Sequence, residues 1–195
     1  MIEFVVDLIV SIISAIGYLG IFVLMVFESM VLPVPSEAVM PFAGYLVAQG
    51  RFDFWAAVLV SGIASVVGSL IGYAMGYYGG YPIVHKVGKY LFLNEHHLKW
   101  TERWFKRHGS LTILISRFIP IVRHLISIPA GVAKMDLKKF ILFTAVGATL
   151  WNAFLLYVGM RLADHWELIG EYSRYLDVVV VLAVIAYLFF HFRKK

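Results

Sequence analysis

An all-α polytopic membrane protein is the fold this sequence predicts, with transmembrane helices and two oppositely oriented re-entrant hairpins in an inverted repeat. Three observations carry the prediction. The chain of 195 residues is 61% hydrophobic and only 15% charged, with a mean hydropathy of +0.83, whereas soluble domains carry about 25% charged residues. Three uncharged runs, 8–27, 54–84 and 140–160, each match the roughly 20 residues a helix needs to cross about 30 Å of hydrocarbon. Between them lie two apolar stretches that are broken by proline and yet hold charges.

The positive-inside rule sets the order of crossings. Residues 85–107 hold Lys86, Lys89, Lys99, Arg103, Lys106 and Arg107 against Glu95 and Glu102, and the tail adds Arg193, Lys194 and Lys195. Both regions read as cytoplasmic. The connection 161–177, with Asp164, Glu167, Glu171 and Asp177 against Arg161 and Arg174, reads as external. Run 54–84 therefore ends inside, 140–160 runs outward, and a weaker segment at about 174–192 returns. The start, "MIEFVVDLIV", places Glu3 and Asp7 where a cleavable signal would place Lys or Arg, so the first segment is expected to stay. If 8–27 runs outward, the N-terminus is cytoplasmic.

Two stretches must then enter and leave on one face. Residues 29–50, "SMVLPVPSEAVMPFAGYLVAQG", contain Pro33, Pro35 and Pro41 as helix breakers and embed Glu37. Residues 110–133 contain Pro120 and Pro129 and embed Arg117 and Arg123. Irregular backbone and charge at membrane depth are tolerated where protein surrounds them, which a re-entrant hairpin provides. The halves also echo each other. "PFAG" ending at Gly44 and "PAG" ending at Gly131 both precede a basic residue, an Asp and a long apolar run; with Asp53 laid on Asp136, Ser61 meets Thr144 and Gly76 meets Gly159. The chain reads as a single membrane domain, 1–195. Its parts are repeat 1 at about 14–84, an amphipathic cytoplasmic stretch at about 85–109, repeat 2 at about 110–160, and the C-terminal helix at about 174–192.

The candidate site is the set Glu28, Glu37, Arg117 and Arg123. Two arginines in a proline-broken hairpin present rigid forks of N–H donors suited to phosphate oxygens. A carboxylate beside them can hold an arginine while the site is empty, or accept a proton when desolvated. The alternative is two ion pairs that only hold the hairpins together. Gly68, Gly72, Gly76 and Gly80 recur every fourth residue, a close-packing signature for helices in a membrane. His96 and His97 sit in an amphipathic surface stretch with Trp100, Trp104 and Phe105, and are read as interfacial, with no metal site. No serine has the histidine and carboxylate spacing of a nucleophile, so no enzyme activity and no cofactor is expected. The absence of cysteine excludes thiolate chemistry, and the net charge of +5 is placed by membrane orientation, with no nucleic-acid partner implied.

The stretches "GYLGIFVLMVFESMVLPVPSEAVMPFAG" and "SRFIPIVRHLISIPAG", with the following "MDLKKF", resemble the DedA family of bacterial membrane proteins, related to the eukaryotic VTT-domain proteins. The resemblance covers about residues 14–160. It implies two opposed re-entrant hairpins and lipid transport in the bacterial cytoplasmic membrane: members return undecaprenyl phosphate, the carrier of cell-wall precursors, to the inner leaflet, and some are coupled to the proton-motive force. The family's essential acids match Glu28 and Glu37, and its essential arginines match Arg117 and Arg123. The expected partners are undecaprenyl phosphate or another anionic lipid, the bilayer and protons. Cation/proton antiport, phospholipid scrambling and homodimer formation stay open at the level of sequence.

Overall fold

The computed structural model describes residues 2–30, 35–91 and 111–163, and all of their regular structure is helical. Eight helices follow in order: α1 Ile2–Ile16, α2 Tyr18–Met30, α3 Ser36–Ala48, α4 Phe54–Leu91, α5 Leu111–Ser116, α6 Pro120–Leu125, α7 Ser127–Val132 and α8 Leu137–Arg161. Pro33, residues 92–109 with the histidines expected at the interface, and the segment 174–192 expected as a C-terminal helix lie outside the described residues.

Two helices are long and apolar enough to span a bilayer, Phe54–Gly79 within α4 and α8 itself. Their 26 and 25 residues rise about 39 and 38 Å at 1.5 Å per residue. Both start in the same way. The Asp53 carboxylate accepts from the Ala56 N–H at 2.8 Å, and the Asp136 carboxylate accepts from the Lys139 N–H at 2.9 Å, so each aspartate caps its helix.

The run 8–27, expected as one crossing, is two helices. Gly17 has φ +62, a left-handed conformation open to glycine, and its N–H closes α1 on the Ile13 carbonyl at 2.9 Å. Beyond it, Gly20 lies against the backbone of Ile12 and Ile13, so α2 turns back over the end of α1. At about 22 and 20 Å neither helix matches a 30 Å hydrocarbon layer. The argument for a cytoplasmic N-terminus, which needs a full crossing here, therefore does not hold.

The prolines act less uniformly than expected. Pro35 precedes α3 with extended backbone, and Pro120 opens α6 after Ile119, also extended at φ −107 and ψ 110, the conformation a residue before proline prefers. Both mark breaks. Pro129 sits in the first turn of α7, where its missing N–H is harmless. Pro41 breaks nothing: α3 continues through it. It forgoes one bond to the Glu37 carbonyl, and the helix is held instead by packing against α8.

That packing is repeated across the molecule. A Cβ on Gly44 of α3 would overlap the Leu156 carbonyl of α8, and one on Gly159 of α8 would overlap the Pro41 carbonyl of α3. In the other half, a Cβ on Gly131 of α7 would overlap the Tyr73 carbonyl of α4, and one on Gly76 the Ile128 carbonyl of α7. The register that lays Asp53 on Asp136 equates Gly76 with Gly159 and Tyr73 with Leu156. The register that lays Gly44 on Gly131 equates Pro41 with Ile128. Each short helix thus sits, glycine to backbone, on the long helix of the opposite half. Gly72 faces Ser127 and Gly68 meets Val26 and Ser29 of α2, while Gly80 lies in the same helix α4.

The bundle is apolar outside and partly polar inside. Leu59 and Ile63 of α4 and Leu142, Leu150 and Phe154 of α8 are exposed, whereas Glu28, Ser36, Ser61, Ser65, Ser69, Ser116, Arg117, Arg123, Ser127, Thr144 and Asn152 are buried. Water would penalise that surface; lipid does not. An apolar cluster around Ile13, Met25, Met40 and Leu156 ties α1, α2 and α3 to α8, and a smaller one joins Tyr73, Ile113, Ala130 and Phe140. Between the long helices, the Asn152 amide donates to Ser65 Oγ at 3.2 Å.

Gly44→Ala and Gly131→Ala should each destabilise the detergent-solubilised protein by about 1–3 kcal/mol, because backbone and not a flexible side chain must move. Gly50→Asn serves as the control: φ is +71 there, but nothing lies within 4 Å, and Asn tolerates that conformation. Unfolding midpoints of the three variants test the packing.

Candidate functional site

The four charges predicted from sequence meet in one place. Glu28 stands in the last turn of α2, Glu37 in the first turn of α3, Arg117 in the turn after α5, and Arg123 in α6. The break that separates the arginines is written locally. The chain closes α5 with short turns, Arg117 N–H to Leu114 O and Ile119 N–H to Ser116 O, and restarts at Pro120. One arginine therefore comes from each side of the break.

The two cations have different surroundings. Arg123 is 4% exposed, and a single terminal nitrogen faces three oxygens: Ser36 Oγ at 2.6 Å, Glu37 Oε1 at 2.8 Å and Glu28 Oε1 at 3.2 Å. Glu28 is itself buried and accepts from Ser29 Oγ at 2.7 Å. The Glu37 side chain is 43% exposed, so one carboxylate is enclosed and the other reaches the surface. The face of Trp151 lies 5.4 Å from the guanidinium carbon of Arg123, within cation–π range.

Arg117, 3% exposed, meets no carboxylate at ion-pair distance among the described residues. Its terminal nitrogens donate to the Arg123 carbonyl at 3.1 Å, to Thr144 Oγ1 at 3.1 Å and to Ser127 Oγ at 3.4 Å. The first of these is a carbonyl in the last turn of α6, where helical donors run out. Gly147 makes the room: a Cβ there would stand 3.0 Å from Arg117 Cβ and Cγ. The Nε donors of both arginines and the indole N–H of Trp151 are buried without a partner among the described residues.

Sequence reasoning found the charges but not what orients them. Ser36, Ser127, Thr144, Gly147 and Trp151 belong to the site through contacts across three helices. Thr144 alone had a signal, its match to Ser61 in the repeat. Among the described residues no group of three or more His, Asp or Glu is placed to hold a metal.

The different surroundings make opposite predictions for stability. Arg123→Met removes the guanidinium that Glu28 and Glu37 share and should cost about 3–5 kcal/mol, partly recovered by adding Glu28→Gln. Arg117→Met removes a desolvated cation whose partners are neutral oxygens, and should leave stability unchanged or raise it. Denaturant unfolding in micelles measures both.

Residues 34–161 match the VTT domain. The chain is similar to the undecaprenyl phosphate transporter A of Bacillus subtilis, 33% identical over 183 residues that cover 92% of this chain and 89% of that protein. It is likewise similar to the undecaprenyl phosphate transporter A of Staphylococcus aureus, 33% identical over 92% of both chains. An alkaline phosphatase-like protein of Lactococcus lactis is 35% identical over 93% of this chain and 88% of its own length. No solved structure matches the chain. The apolar-skinned bundle, the charges gathered inside it and these relatives agree: the chain belongs to the DedA/VTT-domain family of membrane proteins.

Proposed function

We propose that this protein is a carrier that moves undecaprenyl phosphate, or another lipid with an anionic phosphate head, across the bacterial cytoplasmic membrane. The observation that carries this reading is Arg117: a permanent cation, 3% exposed, that no carboxylate neutralises at close range among the described residues, inside a bundle whose outer surface is apolar. A charge held in that way is costly unless a mobile anion uses it. The names of the two transporter relatives supply the lipid.

In this reading the phosphate docks on Arg117 while the polyprenyl tail stays in lipid. Arg123 then exchanges its carboxylates for phosphate oxygens, because its fork of donors suits either. Glu37, partly exposed, loses its cation and is the group placed to take up a proton in exchange. Glu28, enclosed, remains to reclaim Arg123 when the lipid leaves. The segments 29–50 and 110–133 act as re-entrant hairpins that open the site to opposite leaflets in turn, and the glycine seams between the halves allow close sliding. The protein works as a carrier and not an enzyme.

The test is leaflet translocation of undecaprenyl phosphate in proteoliposomes. Wild type should transport, and folded Arg117→Met should be slower by about tenfold or more, since losing a charged hydrogen bond to the head group is worth about 1.5–3 kcal/mol. Release of inorganic phosphate would point instead to the phosphatase chemistry named in the Lactococcus relative. Ion flux independent of lipid would indicate antiport, and transport indifferent to the arginines would indicate a scramblase.

A further inference from the structure

Within one cluster three buried donors lack partners among the described residues: Nε of Arg117, Nε of Arg123 and Nε1 of Trp151. They belong together. The Arg117 guanidinium bonds the Arg123 carbonyl at 3.1 Å, and the Arg123 guanidinium lies over the Trp151 ring at 5.4 Å from its centroid. Phe118, next to Arg117, holds the same indole edge to face at 6.2 Å. Buried donors are rarely left unpaired, because each forfeits its bond to water and gains nothing. These three cannot satisfy one another, since guanidinium and indole N–H groups donate and do not accept. Among the described residues no acceptor pairs them, and an anion entering the cluster would. Arg117 is anchored through both terminal nitrogens and Arg123 through one, and the Nε of each fork is still available.

We infer that Trp151 is a ligand-binding residue of the same site, its indole N–H donating to an oxygen of the phosphate that the arginines hold. The inference rests on the carrier reading and adds to it a neutral third donor on α8. The indole also walls the site: its face lies against Arg123 and its edge turns to the anion. A phosphomonoester has enough free oxygens to engage two guanidinium edges and one indole together, whereas the parent alcohol has one weakly accepting hydroxyl. Trp151 thus favours the charged head over uncharged prenol.

Binding of undecaprenyl phosphate and of undecaprenol to the purified full-length protein tests this, with wild type, Trp151→Phe and Arg117→Met compared. Trp151→Phe keeps an aromatic face and removes the N–H. It should weaken undecaprenyl phosphate about ten- to a hundredfold, the share of one hydrogen bond to a charged acceptor, and leave undecaprenol unchanged. Phosphate affinity lost in Arg117→Met but equal to wild type in Trp151→Phe would overturn the indole's role and leave the carrier reading standing. Equal affinity for phosphate and alcohol in all three proteins would overturn both. The wild type supplies a measurement that does not depend on a variant folding. With tryptophan labelled at the indole nitrogen, the Trp151 N–H resonance should move downfield on adding undecaprenyl phosphate and stay in place on adding undecaprenol. A resonance indifferent to the phosphate would overturn the inference.

Discussion

Two guanidinium groups that cannot lose their charge are enclosed in a bundle whose outside is apolar, and the rest of the architecture answers that constraint. Lipid offers no solvation for a cation, so each arginine must be met by protein oxygens brought from elsewhere in the chain. Arg123 is met by the end of α2 and the start of α3, through Glu28, Ser36 and Glu37. Arg117 is met by α6, α7 and α8, through a backbone carbonyl, Ser127 and Thr144. The breaks in the chain supply these groups. A continuous helix would have kept its carbonyls to itself and would have carried the two arginines past one another.

The unequal treatment of the two cations is what turns a set of ion pairs into a candidate site. A purely structural arrangement would pair each arginine with a carboxylate, and the two carboxylates are present to do it. Both are instead drawn to Arg123, leaving Arg117 with neutral partners. Two carboxylates and a serine hydroxyl gather on the one terminal nitrogen of Arg123. The neutral oxygens around Arg117 orient it without cancelling its charge. Glycine sets the positions on both sides: Gly147 gives Arg117 its space, and the Gly44/Gly159 and Gly76/Gly131 seams bring the helices close enough for side chains as short as serine and threonine to reach across.

The prolines show how far local chemistry extends. Pro120 dictates extended backbone at Ile119 and so the break between the arginines. Pro41, of the same residue type and in a similarly apolar setting, lies within an unbroken helix. The difference is tertiary: α3 lies along α8 with its backbone against Gly159, and that packing outweighs one missing hydrogen bond. Gly17 is the converse case. Nothing in the apolar run around it announces a turn, since glycine is frequent in membrane helices, yet it takes the left-handed conformation that folds α2 back on α1.

Composition, the two long apolar runs and the four candidate charges were determined by the sequence alone, because each depends on residue type or on spacing within a few turns. The echo between the halves was legible too, as a register whose physical content is a pair of glycine seams. Which carboxylate faces which arginine was decided only by the tertiary structure, as were the roles of Ser36, Thr144, Gly147 and Trp151. Those contacts join residues far apart in the chain, Arg123 to Ser36 and Arg117 to Thr144, on helices that also bury many apolar groups. Side-chain identity states what a group can donate or accept; only the packing of the helices states what stands within reach of it.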